Sequence, residues 1–154
     1  MKLFFMRHAI AEAGGSKVDK DRKLTAEGRE QAQKRVKKYI KVIGQTVTIL
    51  SSPYPRALET AKTLATELKL NESPITDLAF AADKQATAAL TRLKELAGKA
   101  ETLVLVGHEP MLTQMASLLI TGNESAAIRL KKAGLIGFEI DKLAPKGGQL
   151  IFLR

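Results

Sequence analysis

Short apolar runs alternate with longer mixed stretches along the 154 residues of this chain. A continuous apolar run of four to eight residues is typical of a buried strand, whereas a mixed stretch between helix start and stop residues favours a helix. Runs of the first kind predict strands over residues 2–6, 47–50, 102–106, 135–140 and 149–153. Stretches of the second kind predict helices over residues 26–43, 56–70, 84–96 and 110–121.

Regular alternation of strands and helices predicts a three-layer α/β/α sandwich with a mostly parallel central sheet. The last two strands follow one another through a turn at residues 144–148, so we expect an antiparallel pair at one edge. Thr25 is a good N-cap for the first helix and Gly44 a good stop residue. The length predicts one domain over residues 1–154.

Two stretches of the chain are less regular. Residues 9–24 form a long polar loop that contains Gly14 and Gly15, and loops of this length in a compact domain are often functional. Residues 71–83 predict a short strand and a loop. This second interval leaves little room for an inserted cap.

Composition narrows the classes of chemistry. The chain is 45% hydrophobic and 27% charged, as expected of a globular protein. It contains no cysteine, which excludes disulfides, thiolate chemistry and cysteine-ligated zinc. The apolar start is too short for a secretory leader and no window is long enough for a membrane span, so we expect a cytoplasmic protein without a membrane partner.

The formal net charge is +9. Solvated lysines on helix faces are the simplest cause, because a charge bias alone says little about function. The functional interpretation is attraction for acidic partners, such as phosphates, acidic proteins or nucleic acid. No aromatic stacking pattern or known binding motif supports a nucleic-acid partner.

The two histidines of the chain occupy equivalent places. His8 and His108 each follow a predicted strand directly. Sites in open α/β sheets form outside the carboxyl ends of the strands, where Arg7 and Arg56 are also expected. Arg56 follows Pro55 at a helix start, where a cation is mildly unfavourable unless an anion binds beside it.

Together these four side chains predict an anion pocket. Arginine binds phosphate oxygens with a planar fork of donors. No acidic cluster with metal-ligand spacing accompanies them, so we expect a site without a metal or another cofactor.

The same residues lie within four short motifs that resemble those of the histidine phosphatase superfamily, also called phosphoglycerate mutase-like. Residues 7–9 resemble its Arg-His-Gly signature, and residues 52–61 its Ser-Pro-x-x-Arg-Ala-x-Gln-Thr-Ala signature. Residues 22–32 resemble Arg-Pro-Leu-Thr-x-x-Gly-x-x-Gln-Ala, and residues 106–110 its third histidine motif. The departures are Ala9 for glycine, Lys23 for proline and Glu59 for glutamine.

The resemblance implies a phosphoglycerate mutase-like fold and a phosphatase that works through a phosphohistidine enzyme. It implies that His8 is the nucleophile and that Arg7, Arg56 and His108 bind the phosphoryl oxygens. Neighbouring arginines disfavour an imidazolium, so we expect them to keep His8 neutral.

The compact length resembles that of the SixA-type phosphohistidine phosphatases, whose open site implies a phosphorylated protein as substrate. Asp77 and Asp83 are the candidate general acids, although neither has a family context. Without such an acid, the imidazole of a phosphohistidine is a better leaving group than the alkoxide of an alkyl phosphate.

Three alternatives stay open. The same pocket suits a small-molecule phosphomonoesterase or mutase, whose substrate is a small phosphate. The second alternative is a basic nucleic-acid-binding module. The third is a silent scaffold that binds phosphorylated partners, and the presence of both histidines and both arginines argues against it.

Overall fold

A computed structural model describes residues 1–154 of the chain. The strands are β1 Lys2–Arg7, β2 Thr48–Ser51, β3 Ile75–Thr76, β4 Thr102–Gly107, β5 Leu135–Ile140 and β6 Gly148–Leu153. The helices are α1 Ala26–Ile43, α2 Pro55–Glu67, α3 Ala86–Ala97 and α4 Met111–Thr121. Two 3₁₀ turns, Asp19–Asp21 and Leu78–Phe80, lie between these elements. No helix is both long enough and apolar enough to cross a membrane.

All six strands form one sheet in the order β3-β2-β4-β1-β5-β6. The first four strands in that order run parallel, as the strand–helix alternation predicts. β5 is antiparallel to β1, and β6 is antiparallel to β5, which confirms the antiparallel edge. The carboxyl ends of β2, β4 and β1 therefore meet at the centre of one sheet edge.

Alternation of side chains along the central strands divides the core in two. Leu3 and Phe5 of β1 pack on one face of the sheet with residues of α3 and α4. Phe4 and Met6 of β1 pack on the other face with residues of α1 and α2. These two apolar layers make the three-layer α/β/α sandwich that the sequence predicts.

Local signals in the sequence fix the ends of α1. The Thr25 hydroxyl accepts a hydrogen bond from the Gly28 amide at 3.0 Å, and this bond satisfies a free N–H of the first turn. Gly44 ends the helix with a φ of 92°, a conformation that glycine adopts without strain. Both predicted boundaries are confirmed.

Helix α2 is shorter than the predicted span of residues 56–70. It ends at Glu67, and Lys69 adopts a left-handed φ of 57°. The Lys69 amide bonds to the Thr66 carbonyl at 3.0 Å, which tightens the last turn and stops the helix. The interval between α2 and α3 then holds only β3 and the second 3₁₀ turn.

The long loop after β1 folds back on itself. Ala11 and Leu24 form an isolated antiparallel bridge, and the Thr25 amide donates to the Ile10 carbonyl at 3.1 Å. Gly28 packs against this same carbonyl so closely that a Cβ built on it would lie 1.8 Å from the Ile10 oxygen. A side chain at position 28 would therefore displace either α1 or the loop.

We predict that Gly28→Ala lowers the free energy of unfolding by about 1–3 kcal/mol, the usual cost of overpacking. Gly14→Ala is the matched control, because a Cβ there meets nothing within 4 Å. Thermal and urea unfolding of the two variants measures the difference. Equal stability of the two variants would contradict this view of the α1–loop contact.

Candidate active site

The strand order brings all four predicted site residues to one place. Arg7 is the last residue of β1 and His8 follows it, while His108 follows β4 on the neighbouring strand. Arg56 is the second residue of α2, which begins just beyond β2. The two imidazole rings lie 5.3 Å apart, centre to centre.

The backbone fixes the orientation of the His8 ring. Its Nδ1 lies 2.7 Å from the carbonyl oxygen of Ala9. A carbonyl oxygen only accepts hydrogen bonds, so Nδ1 carries the ring proton and Nε2 keeps a free lone pair. The Ala9 amide donates to the Thr60 hydroxyl at 3.2 Å, which holds this stretch of backbone on α2.

The second histidine, His108, is held by Ser52, which directly follows β2. His108 Nε2 lies 2.8 Å from the Ser52 hydroxyl oxygen, and its Nδ1 is enclosed without a protein partner. The ring of Tyr54 lies 5.3 Å from the His108 ring and also lies beneath the guanidinium of Arg56, at 5.4 Å. Tyr54 thus packs against two of the four residues.

Burial keeps both imidazoles uncharged. Loss of solvent is the main reason that the pKa of His8 falls to about 4. The hydrogen bond to the Ala9 carbonyl opposes this shift, and the nearby cations Arg56, Arg7 and Lys132 contribute to it. Burial, with Arg56 next in size, lowers the pKa of His108 to about 3. The sequence predicted a neutral His8 because of the arginines alone, whereas in the structure burial is the largest cause.

Each arginine is anchored through part of its guanidinium group. One Nη of Arg7 donates to the Leu130 carbonyl at 3.0 Å. The two Nη atoms of Arg56 donate to the backbone oxygen and the carboxylate of Asp19, at 2.6 and 2.9 Å. The Nε atoms of both arginines are enclosed and have no protein partner.

Asp19 is a site residue that the sequence argument missed. It lies in the first 3₁₀ turn, and its carboxylate binds both Arg56 and Arg22. Burial alone would raise its pKa, but the hydrogen bonds from Arg22 and Arg56 outweigh burial and lower it. An ionised Asp19 therefore holds Arg56 in position. The only hint of this role in the sequence was that Asp19 lies three residues before Arg22 in the loop that follows His8.

The two candidate general acids do not join the cluster. Asp77 accepts from the Ala79 amide at 2.9 Å and from Arg92 Nε at 2.8 Å. Those two partners hold the pKa of Asp77 below its usual value, so its carboxylate is a poor proton donor. Asp83 is exposed and pairs with Lys84. Neither side chain forms a hydrogen bond or an ion pair with His8, His108 or the two arginines, so the structure gives no support to the expectation that one of them is the general acid.

A different carboxyl group lies beside the histidines. Glu109 follows His108, and its Oε2 accepts from the Thr113 hydroxyl at 2.7 Å. Its Oε1 is enclosed without a partner, and burial raises the pKa of this carboxyl. The residue belongs to the third motif of the sequence, but its type alone indicated no role.

No group of three or more histidine, aspartate or glutamate side chains is arranged to hold a metal ion. The donors that converge here are two arginines and two neutral imidazoles. Such donors suit an oxyanion rather than a divalent cation. That the reaction needs no metal stays a prediction.

Comparison with known proteins supports the interpretation of this geometry. The model of the histidine phosphatase superfamily (branch 1) matches residues 3–81. The chain belongs to the histidine phosphatase superfamily. It is also similar to an uncharacterized protein of Picosynechococcus sp., with 38% identity over 140 residues that cover 89% of this chain and 84% of the other.

Solved structures show that the fold is shared with phosphatases. The protein histidine phosphatase SixA, complexed with tungstate, superposes with a TM-score of 0.86 at 18% identity, covering 99% of this chain and 96% of that one. A mycobacterial glucosyl-3-phosphoglycerate phosphatase superposes with a TM-score of 0.77 at 18% identity, covering 97% and 96%. At these identities the likeness establishes the phosphoglycerate mutase-like fold.

Because the chain has only two histidines, their protonation can be followed directly. We predict that neither imidazole titrates between pH 8 and 6, and that His8 titrates near its folded pKa of about 4. In the unfolded chain both titrate near 6.5, so the unfolded state binds more protons below that pH. The free energy of unfolding should therefore fall as the pH drops from about 6.5 towards 4.

Nitrogen-edited NMR of the imidazoles and urea unfolding across this range measure both effects. His8→Asn should lose part of the pH dependence of unfolding, because it removes one of the two groups. A titration midpoint near 6.5 for His8 in the folded protein would contradict the account.

Proposed function

We propose that this protein is a phosphatase in which His8 Nε2 attacks phosphorus and forms a phosphohistidine enzyme. The observation that carries the proposal is the hydrogen bond between Nδ1 of His8 and the Ala9 carbonyl. It leaves the Nε2 lone pair free, and burial prevents a proton from occupying it at neutral pH. Water then attacks the phosphorus, the Nε2–P bond breaks, and inorganic phosphate leaves.

Charge on the transferring phosphoryl group is balanced by the two arginines. Arg56 has five N–H donors, of which Asp19 takes two and leaves three for phosphoryl oxygens. Arg7 uses one N–H donor for the Leu130 carbonyl, so its Nε and its other N–H groups stay available for phosphoryl oxygens. Donors that are fixed before the reaction stabilise the transition state without reorganisation.

His108 supplies a neutral donor. The Ser52 hydroxyl oxygen accepts a hydrogen bond from the Tyr54 amide at 3.2 Å, so we assign the hydroxyl proton of Ser52 to the hydrogen bond with His108 Nε2. In this arrangement the ring proton of His108 lies on Nδ1, which has no protein partner. A phosphoryl oxygen satisfies that donor, which is the role we assign to His108.

For the substrate we propose a phosphohistidine side chain of a protein. When the P–N bond of such a substrate breaks, the imidazole leaves as a neutral molecule after protonation by solvent. Asp19 is ionised, and Asp77 is paired with Arg92, so neither donates a proton to a poorer leaving group. The short interval between α2 and α3 holds no inserted cap, and the match to SixA over nearly the whole of both chains supports the same substrate class.

One observation favours a second function, the hydrolysis of small phosphate esters. Glu109 is next to His108, and burial raises its pKa, so its carboxyl can hold a proton for an alkoxide leaving group. The fold shared with the mycobacterial glucosyl-3-phosphoglycerate phosphatase agrees with this alternative. The hydrogen bond from Thr113 already occupies the Oε2 of this carboxyl, which argues against its direct contact with a substrate.

We predict that His8→Ala forms no phosphoenzyme and has no turnover, whereas its fold is retained. His108→Ala is the informative partner variant, because it should still form a phosphoenzyme, only more slowly. Rapid quenching with a radiolabelled aryl phosphate, together with circular dichroism, measures both properties. A folded His8→Ala enzyme with near-normal turnover would exclude His8 as nucleophile.

The leaving group distinguishes the two candidate functions. We predict that kcat/KM of the wild type is high for phosphohistidine, intermediate for aryl phosphates and low for alkyl and sugar phosphates. Glu109→Gln should change the value for phosphohistidine little, and Asp77→Asn is the matched control. Efficient hydrolysis of a sugar phosphate that Glu109→Gln reduces by roughly 10²–10⁴-fold would instead establish the ester phosphatase.

A further inference from the structure

Three unpaired cations lie close together in the stretch before β5. Residues 129–132 read Arg-Leu-Lys-Lys, and we call them the basic segment. Arg129, Lys131 and Lys132 are exposed, whereas Leu130 between them is buried. No ion pair of the structure includes any of the three.

Hydrogen bonds anchor the basic segment directly to the active site. The Leu130 carbonyl accepts from Arg7 at 3.0 Å, and the amide of Ala133 donates to the carbonyl of His8 at 3.1 Å. From the other side, the Tyr39 hydroxyl donates to the Ala133 carbonyl at 3.1 Å. The segment is therefore held next to His8 through Leu130 and through Ala133, which directly follows it, and its three cations are exposed.

The opposite side of the site has a different charge pattern. In the loop of residues 9–24, Lys17 pairs with Glu12 at 2.6 Å and Arg22 pairs with Asp19 at 2.8 Å. Lys20 and Lys23 of this loop form no ion pair, but acidic residues lie among all the cations of the loop. The basic segment contains no acidic residue, and none of its three cations is paired, so it presents the more concentrated positive charge next to the site residues.

We propose that the basic segment binds acidic side chains that flank the phosphorylated residue of a protein substrate. The proposal rests on the proposed function and names its substrate class more closely. A phosphoryl group alone is bound by Arg7, Arg56 and His108, so cations beyond them select for a second anionic group on the substrate. Lys132 is also close enough to lower the pKa of His8, which agrees with its place beside the nucleophile.

The test compares two phosphohistidine peptides of equal length, whose flanking residues are glutamate in one and glutamine in the other. The variant is Arg129→Glu/Lys131→Glu/Lys132→Glu. The matched control is Lys37→Glu/Lys38→Glu/Lys41→Glu, which makes the same change of charge at exposed positions near the carboxyl end of α1. Circular dichroism and turnover of an aryl phosphate show whether each variant is folded.

We expect the wild type and the α1 control to prefer the glutamate peptide about tenfold in kcat/KM, mostly through KM, as several exposed ion pairs allow. The basic-segment variant should lose or reverse this preference, and added salt should reduce the preference of the wild type. If the triple variant does not fold, the milder Lys131→Gln/Lys132→Gln variant should still reduce the preference.

Three kinds of result would overturn the proposal in distinguishable ways. Equal rates for the two peptides with the wild type, or a preference that survives in the variant, would exclude the basic segment as the recognition surface while phosphohistidine stays the substrate. Hydrolysis of sugar phosphates and of neither peptide would reject the proposed function itself. Duplex nucleic acid that binds tightly through the basic segment, with no peptide preference, would assign the segment to a different partner.

Discussion

A neutral imidazole enclosed between cations is the physical constraint on which the site depends. His8 is 7% exposed, and burial is the main reason that its pKa falls to about 4. A histidine of ordinary pKa would be protonated in a fraction of the protein molecules near neutral pH. In that fraction the ring could not act as a nucleophile. The arginines that we propose to bind a phosphate also favour the neutral ring, so in this proposal the same charges support phosphate binding and nucleophilicity.

The surrounding fold maintains this arrangement from several directions. The parallel pairing of β1 and β4 places His8 and His108 side by side, and Ser52, which follows β2, is a hydrogen-bond partner of His108. Helix α2 supplies Arg56, which the loop after β1 holds through Asp19. The stretch before β5 is tied to the same centre through the carbonyl of Leu130. Loss of any of these contacts would therefore alter the position of His8 or of a residue beside it.

Much of the fold and the four central residues followed from the sequence, for different physical reasons. Apolar runs and the caps Thr25 and Gly44 are local signals, and the carboxyl ends of parallel strands gather His8 and His108 whatever the details of packing. Asp19 was not predictable, because its contact depends on how a 16-residue loop folds rather than on periodicity. Asp77 was a plausible acid by position, but Arg92 lies on the adjacent helix and ion-pairs with its carboxylate. The hydrogen bond to the Ala9 carbonyl was not predictable either, because a backbone oxygen leaves no trace in the choice of side chains. That burial lowers the pKa of His8 more than the arginines do is visible only in the packed structure.

The central claim is that the backbone at Ala9 selects which nitrogen of His8 attacks phosphorus. The most direct test is to trap the phosphoenzyme at alkaline pH, digest it, and identify the phosphorylated nitrogen by mass spectrometry and phosphorus NMR. Because Nδ1 donates its proton to the Ala9 carbonyl, we predict phosphate on Nε2 of His8 and on no other atom. Phosphate on Nδ1, on His108 or on a different residue would contradict the account.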